Sequence, residues 1–125
     1  MNEAQLIEGR ACAEAGHRGL ASPGGVRNDL SRSFASPHFY HFATDRDGAR
    51  LISDARHADG SDGLYLFELG RPGRSPLRQA QLLLQPRSSW NKTCHVHPFL
   101  SPDGRSGFFN SDETGTMQAY MVRGF

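Results

Sequence analysis

An all-β fold of short antiparallel strands is what this sequence predicts, and three observations predict it. From Pro37 onward, short runs of aliphatic, aromatic and β-branched residues alternate with polar turns. Asp-Gly pairs, Asp47-Gly48 and Asp103-Gly104, fall between such runs, where glycine takes a positive φ without steric cost. A block of this pattern also occurs twice, with His97 standing 56 residues after His41.

Taken in order, residues 1–36 form an irregular or weakly helical segment. Leu6, Ile7, Ala11 and Ala15 suggest a short helix within 2–15, although their spacing makes a poor apolar face, and the Gly, Ser, Pro and Arg mixture of 16–36 reads as loop. Residues 37–125 form the second unit, with strands expected at 39–44, 50–54, 63–69, 79–84, 95–100, 106–111 and 118–122.

The repeat organises that unit. His41-Phe-Ala-Thr-Asp-Arg-Asp47-Gly48 aligns with His97-Pro-Phe-Leu-Ser-Pro-Asp103-Gly104, a histidine standing seven residues before the turn glycine in both. Each copy continues into a second strand, a Ser-Asp pair (Ser53-Asp54, Ser111-Asp112) and a third strand around Tyr65 or Tyr120. A hairpin meander recurring in this way is the sequence signature of a four-stranded propeller blade, and about two blades fit. A closed propeller takes roughly four to eight blades. The chain is therefore expected to be a fragment of a longer fold, or to cover its open edges by self-association.

Bulk properties exclude little. Fourteen basic against thirteen acidic residues leave a formal charge of +1, so neither nucleic acid nor an acidic membrane surface is expected as a partner. No apolar run approaches the ~20 residues of a membrane helix, and residues 1–10 lack the apolar stretch of a signal peptide. Two cysteines, Cys12 and Cys94, are too few for a disulfide scaffold, which favours a reducing compartment.

The histidines carry the chemistry. Of the six, at 17, 38, 41, 57, 95 and 97, the pair in Cys94-His95-Val96-His97-Pro98 is expected to lie on one strand. Residues i and i+2 there share a face ~6–7 Å apart, a spacing that suits two ligands of one ion. His41 occupies the repeat position of His97, so adjacent blades would bring three imidazoles together at the central channel. Imidazole binds Zn, Cu, Fe and Ni readily, and Mn when oxygen donors complete the shell. His17, His38 and His57 read as surface or turn residues. Asp47, Asp54, Asp103 and Asp112 read as turn and framework residues; Arg50, Arg56 and Arg105 could meet a carboxylate, but their placement near turns favours solvent exposure.

These runs resemble a known family. Ser88-Ser89-Trp90, His95-Val-His-Pro-Phe-Leu-Ser-Pro-Asp-Gly104, Phe109-Asn-Ser-Asp112 and Tyr120-Met-Val122 resemble the C-terminal blades of oligogalacturonate lyases, as do His41, Leu51-Ile-Ser-Asp54 and Leu64-Tyr-Leu-Phe-Glu-Leu69. The resemblance covers about residues 37–124. It implies a seven-bladed, cytoplasmic propeller that cleaves oligogalacturonides by Mn²⁺-assisted β-elimination in pectin degradation.

The resemblance assigns His41, His95 and His97 as metal ligands. The family's ligand glutamine should precede the pair by three residues, where Lys92 stands; Asn91 is the nearest amide. The family's base histidine and arginine have no counterpart, His17-Arg18 lying in a Gly-rich loop. Removing a proton next to a carboxylate needs a cation to take up the developing charge and a base within reach. A chain with the metal ligands alone is expected to bind substrate weakly and to turn it over hardly at all. The alternative function is a non-enzymatic propeller scaffold of the TolB-like or peptidase type, in which the histidines carry no ion.

Overall fold

The computed structural model describes residues 5–8, 18–21, 28–29, 37–69, 80–91 and 93–125, with side chains from residue 37 onward. Ten strands form three antiparallel sheets, and no helix occurs among the described residues. The first sheet joins β1 (Gln5–Glu8), β2 (Arg18–Ala21) and β3 (Asn28–Asp29). The helix expected within 2–15 is thus replaced at 5–8 by a strand. Those four residues pair with β2 in the register Gln5↔Ala21 to Glu8↔Arg18, which satisfies their backbone groups without the apolar face that a stable helix there would have to bury. The rest of that stretch lies outside the described residues.

The second sheet is a four-stranded meander of β4 (His38–Thr44), β5 (Arg50–Arg56), β6 (Asp62–Glu68) and β7 (Ala80–Leu84), in that spatial order. The third contains β8 (Phe99–Leu100), β9 (Ser106–Ser111) and β10 (Gln118–Arg123). The Asp-Gly turns form as expected, Gly48 and Gly104 having φ of 65° and 67°. Gly48 N–H donates to the Asp45 carbonyl and Gly104 N–H to the Ser101 carbonyl, closing equivalent turns in the two repeats.

β5 is buried on both faces from Leu51 to Ala55, which makes it the spine of the fold. Leu51 and Ala55 join Phe39, Phe67 and Leu69 on one side. Ile52 joins Leu64, Leu66, Val96, Leu100 and Phe109 on the other, so the second and third sheets share one apolar layer. Their turns are tied as well: Arg46 N–H donates to the Pro102 carbonyl at 3.1 Å, and Arg50 Nη1 to the Gly104 carbonyl at 2.9 Å. These links hold the two repeats face to face with His41 and His97 on the same edge.

One expected strand is shorter than the sequence suggests. Residues 95–98 are irregular and only Phe99 and Leu100 pair with β9. His97 has φ of 42°, outside the extended region, and Pro98 carries no N–H for a ladder. A single contact persists there, Asn110 N–H to the Val96 carbonyl at 2.7 Å, and it keeps the fully buried Val96 in the core.

Candidate metal centre

His41 enters the centre from an irregularity in β4. The register of β4 with β5 shifts between Phe39 and Phe42, so Tyr40 and His41 form a bulge without cross-strand partners. The Ser-Asp pair on β5 satisfies the backbone groups thus released. His41 N–H donates to Asp54 Oδ1 at 2.6 Å, and Ser53 Oγ donates to the His41 carbonyl at 2.8 Å. Both Ser53 and Asp54 are fully buried. Asp54 does more than frame the blade, because its Oδ2 also meets His41 Nδ1 at 2.8 Å. With the carboxylate accepting the Nδ1 proton, Nε2 is left with its lone pair free.

His95 and His97 come from the loop that leads into β8. Val96 points into the core, so its two neighbours project together on the outside, although not by strand geometry. Their rings are nearly parallel at 19°, with centroids 5.6 Å apart. The ring of His41 lies 3.9 Å from that of His97 and 5.5 Å from that of His95. One ligand atom from each histidine falls within 4.8 Å of the other two. The repeat-equivalent pair, His41 and His97, therefore does meet. Withdrawal from water holds His97 below the ordinary imidazole range, and the neighbouring His41 adds to that effect. A neutral ring is the form that ligates.

A second loop braces the centre. Asp112, the repeat partner of Asp54, accepts the Ser89 N–H at 2.7 Å and the Ser89 hydroxyl at 2.5 Å. Those bonds hold its carboxyl down at about 2. Ser88 Oγ donates to the Cys94 carbonyl, and Cys94 N–H donates to the Asn91 carbonyl at 2.5 Å. The loop thereby delivers Trp90 onto the histidines, its ring centroid 5.3 Å from His95 and 6.2 Å from His41. Trp90 and His97 are the non-glycine residues with positive φ among the described residues, at 57° and 42°. Strained backbone of this kind persists where the surroundings over-determine it and clusters at functional sites.

Three converging imidazoles, one with its Nδ1 engaged by a buried carboxylate, fit a divalent transition metal. Asn91 is exposed, and Lys92 lies outside the described residues. His38 is exposed, and His57 is bonded to the Tyr65 hydroxyl at 3.0 Å. His17 lies outside the described residues. Arg56, expected in solvent, is half-buried with its guanidinium over the Trp90 ring. The roles of Asp54 and Trp90 were signalled only by the recurrent Ser-Asp pair and the Ser-Ser-Trp run.

No family model and no curated protein matches the chain. A solved structure, "putative TolB from Agrobacterium tumefaciens", has a similar fold, with a TM-score of 0.69 at 20% identity over 97% of this chain. This chain spans 39% of the length of that one. The chain is thus an all-β, propeller-like fold corresponding to part of a larger propeller.

Proposed function

We propose that this chain is the metal-holding part of a β-propeller that acts on acidic oligosaccharides, with Mn²⁺ or another divalent ion held by His41, His95 and His97. The observation that carries this reading is the convergence of the three ligand atoms within 4.8 Å, with Asp54 on the far side of His41. A divalent cation there supplies Lewis acidity toward a substrate carboxylate. The resemblance to oligogalacturonate lyases names the reaction class, β-elimination of oligogalacturonides in the cytoplasm. The base would come from further blades or from an associated copy.

Calorimetric titration of the full chain with Mn²⁺ tests the assignment. Single His41→Ala, His95→Ala and His97→Ala substitutions are each expected to weaken binding by at least about tenfold. Unchanged affinity in the His95 and His97 variants would overturn it. The isolated chain is expected to release unsaturated product no faster than background, and robust turnover would show that the base lies within it.

A second reading, a TolB-like scaffold without catalysis, is favoured by the fold likeness. It expects no Mn²⁺ uptake in the same titration.

A further inference from the structure

Arg56 ends β5 and stands opposite Asp62 in the register of β5 with β6, a position from which a cross-strand ion pair would ordinarily form. It does not form. The ion pairs among the described residues are His41–Asp54 and Arg50–Glu68. Asp62, only 5% exposed, keeps an Oδ1 without a hydrogen-bond partner. The Arg56 guanidinium lies instead over the Trp90 ring, 5.6 Å from its centroid. Tyr40, from the β4 bulge, meets the same indole edge-on at 5.1 Å and leaves 49% of its surface in water. That indole is also the neighbour of His95 and His41. A cation without a close ion-pair contact and an exposed aromatic face are therefore one ring away from the three histidines. Trp90 Nε1 is buried and turned to the Asp62 carboxyl.

We infer that Arg56, Trp90 and Tyr40 form a second ligand subsite beside the histidines, taking the carboxylate and the apolar ring face of an acidic sugar unit. The guanidinium fork matches a carboxylate in two parallel hydrogen bonds, and its position on the indole holds it ready for them. Tyr40 offers a flat apolar surface with a polar tip, which suits the C–H face of a pyranose. A neutral sugar would leave the arginine unanswered, whereas a bare inorganic anion would leave Tyr40 uncovered. The subsite thus selects uronate over neutral units, independently of what the ion does. The sugar identity rests on the proposed function; the requirement for an anion joined to a flat ring rests on these three side chains.

Trp90 is the sole tryptophan, so its emission reports on this subsite directly. The full chain is titrated with digalacturonate and with galactobiose, both in EDTA, and separately with Mn²⁺. Digalacturonate is expected to change the emission saturably, and galactobiose to bind at least about tenfold more weakly. Arg56→Gln is expected to abolish that preference while leaving Mn²⁺ quenching intact. Arg56→Lys, which keeps the charge but loses the fork, should fall between the two. Tyr40→Ala should weaken both sugars alike. Equal binding of the two sugars, no response to digalacturonate, or full digalacturonate affinity in both arginine variants would overturn the inference. Loss of Mn²⁺ binding with the sugar preference intact would sink the metal reading alone.

Discussion

Asp54 holds His41 at two points, Oδ1 accepting its backbone N–H at 2.6 Å and Oδ2 meeting Nδ1 at 2.8 Å. The first contact repairs a ladder broken by the bulge. The second fixes the tautomer, since an ionised carboxylate accepts and does not donate. One side chain therefore shapes the backbone and leaves Nε2 free for an ion, a coupling that also raises the basicity of the free nitrogen.

Replacing that carboxylate with an amide tests the coupling. In Asp54→Asn, an amide oxygen satisfies the backbone N–H, and the NH₂ group then faces Nδ1, which drives the ring proton to Nε2. Mn²⁺ affinity measured by calorimetry should fall by ~10–100-fold in the folded variant. Nitrogen NMR of the His41 ring should show the tautomer exchanged without any metal present. Wild-type affinity with an unchanged tautomer would show that Asp54 serves the bulge alone.

Most of the blade pattern is legible in the sequence because alternation and Asp-Gly turns are local signals. β5, β6 and β9 appear within a residue or two of their expected bounds for that reason. The histidine set is legible through the repeat, which encodes equivalent positions whatever the backbone does between them. The bulge at Tyr40-His41 and the irregular course of 95–98 are not. Both depend on partners distant in sequence, Ser53-Asp54 in one case and Asn110 in the other, and Asp112 fixes the neighbouring Trp90 loop. Period-two reasoning about His95 and His97 reaches the right neighbours by a geometry the chain does not use.

Acid should loosen the Trp90 loop through Asp112. Its carboxyl titrates at about 2 in the folded chain, because Ser89 donates to it twice. The unfolded chain takes up that proton near ~4, so between these values it binds more protons than the folded one. The stabilisation is complete above the unfolded value and is lost as pH falls toward the folded one. Urea midpoints of wild type and Asp112→Asn should differ most above ~pH 5 and converge as pH falls through about 2. A constant difference across that range would show that Asp112 does not act as a charged acceptor.

Gly104 carries two demands that can be separated. Its φ of 67° favours glycine, and a Cβ there would lie 2.9 Å from Asp45 Oδ2 and 3.2 Å from Arg50 Cδ. Asp45 is not free to yield, since its Oδ1 accepts from the Ala49 and Arg50 N–H groups. Gly115, with φ of 92° and open space around it, carries the conformational demand alone. In urea unfolding, Gly115→Ala should cost roughly 1–2 kcal/mol, and Gly104→Ala distinctly more. Equal losses would mean that the two turns are not in contact as described.

The packing of the second sheet on the third rests on a close approach at Gly107, where a Cβ would lie 2.8 Å from Ile52 Cδ1 and 3.0 Å from Val122 Cγ1. Gly107→Ala should overpack that layer and cost about 1–3 kcal/mol. Ile52→Val removes the Cδ1 atom from a fully buried side chain and should by itself cost about 0.5–1.5 kcal/mol. Combined, the two changes are not independent, because the methyl added at residue 107 enters the space vacated at residue 52. The double variant should therefore be more stable than the sum of the single losses predicts, with a coupling of roughly 0.5–3 kcal/mol in urea unfolding. Strict additivity would place Ile52 and Gly107 out of contact and would separate the two sheets that bring His41 to His97.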